Sequence, residues 1–243
     1  LFRSVFLAWQ RRLGRHWQPG DTDRATPVIH LGLFRHRPYA MGSLVAFTYG
    51  AALFGSTYLF PVYMQAGLGL SASLVGTMLL PAGLVLAATI AVAGRLADRQ
   101  PAHHLVGAGL FLLAASFALM ATVRLAAPFW PIVVWAIVGR IGLGFVLPSL
   151  NLGAMRGMDK ALIAQGASAI SFFRMVGGAC GVSLCAIALE WRLAAHGQSL
   201  AELTTNAARL SAFNETFLML AFVCALAIAA AWRMKTPGAR QNQ

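Results

Sequence analysis

The sequence predicts an all-α transmembrane fold of six helices, on three observations. Of the 243 residues, 58% are hydrophobic and only 11% charged, with a mean hydropathy of +0.69, an apolar excess beyond what a soluble core needs. No Asp, Glu, Lys or Arg occurs between Arg37 and Arg95, a stretch long enough to cross a bilayer core twice. The basic residues behind the net charge of +12 punctuate apolar runs instead of gathering into a patch, so no nucleic-acid partner is expected.

Taken in order, residues 1–10 (LFRSVFLAWQ) run from an apolar stretch into a basic one and read as the tail of a preceding helix, the reverse of a signal peptide. Residues 11–40 are rich in Arg, His and Pro, with a loop-like HWQPGDTDRATP section, and read as a basic cytoplasmic linker lying along anionic membrane lipids. The first span is expected over 41–64 and the second over 73–93, joined by the uncharged turn QAGLGLSA. The third covers 105–123, a clean apolar run ending before Arg124. The fourth covers 131–153, with Pro128 and Pro131 suiting a helix start. A fifth covers 161–189 and a sixth 210–232, so the bundle occupies 41–235 and leaves 236–243 as a tail. Pro61, Pro81 and Pro148 fall inside or near span ends, where they bend helices.

Orientation follows from Lys and Arg, because positive flanks are retained in the cytoplasm. One side collects Arg3, Arg11, Arg12, Arg15, Arg24, Arg35 and Arg37 before the first span, and Arg95 with Arg99 after the second. Arg156 with Lys160, and Arg233, Lys235 and Arg240, join that side. The other side holds only Arg124, Arg192 and Arg209. Both ends are therefore expected in the cytoplasm, in a multi-pass protein of the cell's inner membrane.

The candidate site residues follow from what a bilayer penalises. Arg140 and Arg174 fall near the middle of the fourth and fifth spans, where an arginine costs about 2.5–3.5 kcal/mol on the translocon scale. Each should face the bundle or a wet cavity, as part of a substrate cavity or transport path. Phe47, Gly50, Phe54 and Tyr58 repeat at helical spacing and put an aromatic stripe on one face of the first span, a surface suited to lipophilic compounds or to lipid. Gly177 and Gly181 form a GxxxG pair suited to close helix packing. Asp21, Asp23, Asp98, Asp159, Glu190 and Glu202 lie outside the spans and Glu215 near the outer start of the last one, so no carboxylate is placed at a span centre to exchange protons. Cys180, Cys185 and Cys224 sit in apolar runs as packing residues, and no metal site or cofactor is expected. His16, His30, His36, His103, His104 and His196 lie outside the expected spans, which argues against an intramembrane enzyme.

Several segments resemble a known family. The loop GRLADRQPAHH, from Gly94 to His104, resembles the Gly-x-Leu-Ala-Asp-Arg-x-Gly-Arg-Lys motif of the major facilitator superfamily, with Gly94, Leu96, Ala97, Asp98 and Arg99 matching and Pro101, Ala102 and His103 departing. PVIHLGLFRHRPYAMGSLVAF, YGAALFGSTYLFPVYMQ, RIGLGFVLPSLNLGAM and AQGASAISFFRMVGGACGV are similar to the fourteen-helix drug:proton antiporter branch of EmrB/QacA type.

The resemblance implies the six-helix C-terminal bundle of a major facilitator fold, with Gly94, Leu96, Asp98 and Arg99 as a cytoplasmic gating motif. It also likens Arg140, Gly142 and Gly144 to the superfamily's Arg-x-x-Gln-Gly motif, with Leu143 in place of the Gln; Gly142 and Gly144 are assigned to helix packing. The implied activity is export of small lipophilic compounds, with proton coupling carried by an N-terminal half of the same polypeptide and a periplasmic adaptor as a further partner. Two buried arginines without a carboxylate favour lipophilic acids or neutral drugs over organic cations. The alternatives are a channel, a non-transporting membrane scaffold, or a transporter of one specific metabolite.

Overall fold

The computed structural model describes residues 34, 36–124, 128–155, 160–200 and 205–234. The segment 1–10, most of the linker 11–40, and the tail 236–243 lie outside the described residues, as do Arg156, Asp159, Glu202 and Lys235. Six helices make up the described fold: α1 (Arg37–Val62), α2 (Ala72–Ala97), α3 (Ala102–Met120), α4 (Phe129–Met155), α5 (Lys160–Ala195) and α6 (Ala207–Trp232). All six are long and apolar enough to cross a membrane.

Most helices outrun their expected spans, for local reasons; α3 is instead shifted, covering 102–120 in place of 105–123. Helix α1 starts at Arg37 rather than 41 because Pro38 fits the first turn, where its missing N–H costs nothing. Helix α2 is capped by the Ser71 hydroxyl, which accepts from the Leu74 N–H at 3.4 Å. Helix α3 begins at Ala102, so His103 and His104, expected outside the spans, form part of its first turn. Helix α5 runs on through Glu190, Trp191 and Arg192 to Ala195. Helix α6 starts with Asn206, whose side chain accepts from the Arg209 N–H at 2.8 Å.

Pro61 interrupts the α1 ladder, and beyond it the chain widens into a π turn over Tyr63–Gly67. The reversal into α2 then uses Gly69 at φ +71°, a conformation that suits glycine.

Helix α1 is the centre of the bundle, packing on α5, α4, α6 and its own π turn. Helix α3 lies against α4 and α6, and α2 chiefly against α4. The core concentrates at one end in an aromatic cluster: Phe60, Tyr63, Phe117, Phe213 and Phe217 are almost wholly buried, and Tyr63 meets Phe213 and Phe217 edge-on at 5.6 and 5.3 Å. By contrast, α2 buries only Val75, Met78, Ala82 and Ala93 and presents Leu80, Leu84 and Val92 outward. Helix α5 likewise exposes Met175, Leu184, Ile187 and Trp191.

Candidate functional site

Two rows of small residues bring α1 and α5 together. A Cβ added to Gly50 would strike the Arg174 carbonyl, one at Gly177 the Phe47 carbonyl, and one at Gly181 the Ala51 main chain. Backbones can approach this closely only where no side chain intervenes. Gly142 and Gly144 serve other contacts: a Cβ on Gly142 would sit 2.6 Å from the Gly109 carbonyl oxygen of α3, and one on Gly144 would sit 2.7 Å from Thr89 of α2. Gly109, its partner across the α3–α4 crossing, was not singled out in the sequence, although the spacing GAG around it offered a signal.

The close α1–α5 contact positions the arginines. Arg174 lies beside Gly50, and Arg140 comes from α4, which also packs on α1. Both are half-buried. Tyr49, preceding Gly50 on α1, is 2% exposed. Sequence reading found the two arginines but not that their helices both pack on α1, because neither helix adjoins α1 in the chain. Two half-buried cations on helices that both pack on α1 are matched in charge to a carboxylate, phenolate or other anion.

The aromatic stripe is less open than its spacing suggested. The Phe54 ring lies on Gly178 of α5, and the Phe47 main chain on Gly177, so both contribute to the α1–α5 seam. Tyr58, on the same face, is half-buried toward Cys185 and Glu190.

At the end of the bundle bearing Arg95, Arg99 and Arg233, Gly94, Leu96 and Ala97 complete α2 and Asp98 forms its C-cap. The Arg99 N–H donates to the Leu96 carbonyl at 3.0 Å, turning the chain toward α3. Asp98 and Arg99 are exposed. Asp98 edges an open groove of about 490 Å³ with Asn151 of α4, its floor made by Ala102, Leu152, Met155 and Ile163. Among the described residues, nothing beyond its own helix backbone lies within 4 Å of a Cβ added to Gly94; Gly76 and Gly83, on the same helix, behave alike.

The opposite end holds polar contacts that the flanking-charge pattern did not reveal. Arg209, expected as an exposed flank, is 1% exposed and donates to the carbonyls of Ser199 at 2.9 Å and Leu200 at 3.3 Å. Asn206, three residues before it, caps the same turn and bonds Gln198 at 2.8 Å; that Asn-x-x-Arg spacing was the available signal. Glu215 pairs with Arg192 across α5 and α6, and His196 stands 3.5 Å from the same carboxylate oxygen. Among the described residues no group of three or more His, Cys, Asp or Glu could hold a metal ion.

The family model of the Major Facilitator Superfamily matches residues 2–182. Among similar proteins, the Multidrug transporter protein MdtP of Bacillus subtilis is 27% identical over 167 residues, which are 68% of this chain and 31% of that protein. A Multidrug resistance protein B homolog of Mycobacterium tuberculosis is 31% identical over 169 residues, again 68% of this chain and 31% of the relative. The Methylenomycin A resistance protein of Streptomyces coelicolor is 28% identical over 190 residues, 76% of this chain and 39% of its own. The chain spans about a third of the length of the relatives it matches.

Proposed function

This chain belongs to the Major Facilitator Superfamily, a family of multi-pass membrane transporters, and on that footing we propose that it forms the C-terminal half of a multidrug exporter working by alternating access. The exported compounds are small and lipophilic, and the preferred ones are acids. The observation that carries the reading is the pair Arg140 and Arg174, half-buried at mid-helix on α4 and α5, both of which pack on α1. Arginines at this depth are costly unless paired or used, and no carboxylate of the described residues lies at mid-helix beside them. An anionic substrate would supply the missing charge during each cycle.

A transporter of this design needs a second half, and the uncovered surface supports one. Helices α2 and α5 carry the broadest apolar faces left open within the chain. On α2, Gly76, Gly83 and Gly94 lie about two and three helical turns apart, which puts three unfilled glycines on one face. A facing helix of an N-terminal half would come close along that row. Proton coupling would reside in that half, since Glu215 is held in an ion pair with Arg192. The motif at Gly94, Leu96, Asp98 and Arg99 would gate the cytoplasmic side, in an inner-membrane protein with both ends of this chain cytoplasmic. A periplasmic adaptor would complete the export route.

The test uses cells producing the full-length protein and a fluorescent lipophilic carboxylate. Wild type should expel it, and Arg140→Gln or Arg174→Gln should cut efflux at least tenfold at equal protein level. A resistance profile limited to cationic dyes and indifferent to both substitutions would overturn the acid-substrate reading. Absence of any substrate-dependent efflux by wild type would instead favour a scaffold.

A further inference from the structure

A second amphiphilic feature lies away from the arginines, where the first turn of α3 meets the last turn of α6. His103 and His104 stack with ring centroids 4.2 Å apart, and Trp232 approaches His104 edge-on at 6.5 Å. These three rings head a groove of about 310 Å³ whose other walls are Gly107, Phe111 and Ile228. Gly107 makes room for it: the Trp232 indole nitrogen lies 3.4 Å from where a Cβ on Gly107 would project. Phe111 and Trp232 are each more than 60% exposed, so the groove opens outward from the bundle.

Its chemistry is divided along its length. One end offers the exposed His104 imidazole and the indole N–H of Trp232, both able to donate to an anionic oxygen, and the exposed Arg233 follows Trp232 directly in the chain. The other end is hydrocarbon and ring surface only. Because α3 begins and α6 finishes here, the polar end lies at the level where a bilayer's headgroups meet its acyl chains, the depth that Trp favours. The volume suits a length of one acyl chain and is at the small end for a drug-sized ligand.

We propose that this groove is a binding site for one glycerophospholipid of the adjacent leaflet, its phosphate held by His103, His104 and Arg233 and one acyl chain laid along Gly107, Phe111 and Ile228. A free apolar compound would leave the donors unanswered, and a soluble phosphate would leave the hydrocarbon end empty; a phospholipid satisfies both. The inference holds whether or not the arginine pair binds substrate.

The test is native mass spectrometry of the full-length protein, delipidated in mild detergent and titrated with dioleoylphosphatidylglycerol or with dioleoylglycerol, which lacks the phosphate. Wild type should retain one phosphatidylglycerol at concentrations at least fivefold below those needed for dioleoylglycerol. The double variant His103→Gln/His104→Gln should lose that preference, as should Arg233→Gln in part, while Phe222→Ala, an exposed apolar residue of α6 outside the groove, should keep it. Equal retention of the two lipids by wild type would overturn the proposal. So would an unchanged preference in the double variant, or the same loss in Phe222→Ala, which would mark the lipid as non-specific.

Discussion

Gly177 of α5 rests directly on the main-chain carbonyl of Phe47 in α1, leaving no room for a side chain. Backbone cannot yield as a flexible side chain can, so Gly177→Leu should force the two helices apart. Overpacking typically costs about 1–3 kcal/mol, and a backbone clash belongs at or above the upper end of that range. Thermal unfolding in detergent should show a fall of several degrees, with Gly177→Ala intermediate.

Arg209 ties the loop after α5 to the start of α6 through two carbonyls. Arg209→Ala removes charge-assisted donors from a buried place and should destabilise by about 1.5–3 kcal/mol. Arg209→Lys, with one ammonium in place of a planar fork, should recover only part of this. Urea or thermal titration of the three forms should rank them in that order.

The Arg192–Glu215 pair has side chains 35% and 32% exposed, and partly solvated pairs contribute little. Glu215→Gln should therefore change stability by less than about 1 kcal/mol. Proton-driven efflux should survive the change. Loss of pH-gradient-dependent transport in a stably folded Glu215→Gln protein would instead make Glu215 a coupling carboxylate.

A Cβ on Gly83 would meet nothing among the described residues beyond its own helix, unlike one on Gly177. Gly83→Leu should leave the thermal stability of this six-helix chain unchanged or slightly raised, since leucine is the better helix former. In the full-length protein the same substitution should abolish efflux by blocking close approach of the facing helix. Undiminished efflux by Gly83→Leu would exclude a tight contact along that face.

The helices were legible because a bilayer imposes one severe rule, that charge stays near the ends, and the stretch from Arg37 to Arg95 obeys it without exception. The same rule set the limits of that reading. It terminates a span at the first polar residue, whereas His103, His104, Glu190 and Arg192 continue their helices, whose backbone bonds are indifferent to the side chain beyond the hydrocarbon. It also treats every flanking arginine alike, and so missed that Arg209 turns back to hold carbonyls. Arg140 and Arg174 stood out by their depth, but that both their helices pack on α1 could be seen only in the fold. The stripe Phe47, Phe54 and Tyr58 shows the converse: periodicity gave the face correctly without disclosing that glycines of α5 cover part of it.

The wide turn over Tyr63–Gly67 sets a phase. A π turn accommodates one residue more than an α turn, so the chain leaving it lags by about 100° of rotation relative to an uninterrupted helix. Tyr63 precedes that lag, its N–H still bonded to the Leu59 carbonyl, and keeps the α register that sets it against Phe213 and Phe217. The extra residue is taken up between Tyr63 and Leu68, whose N–H reaches back to the Tyr63 carbonyl at 3.1 Å, and Gly67 at the end of the turn lies against the Phe213 ring, so both ends of the turn are seated on α6.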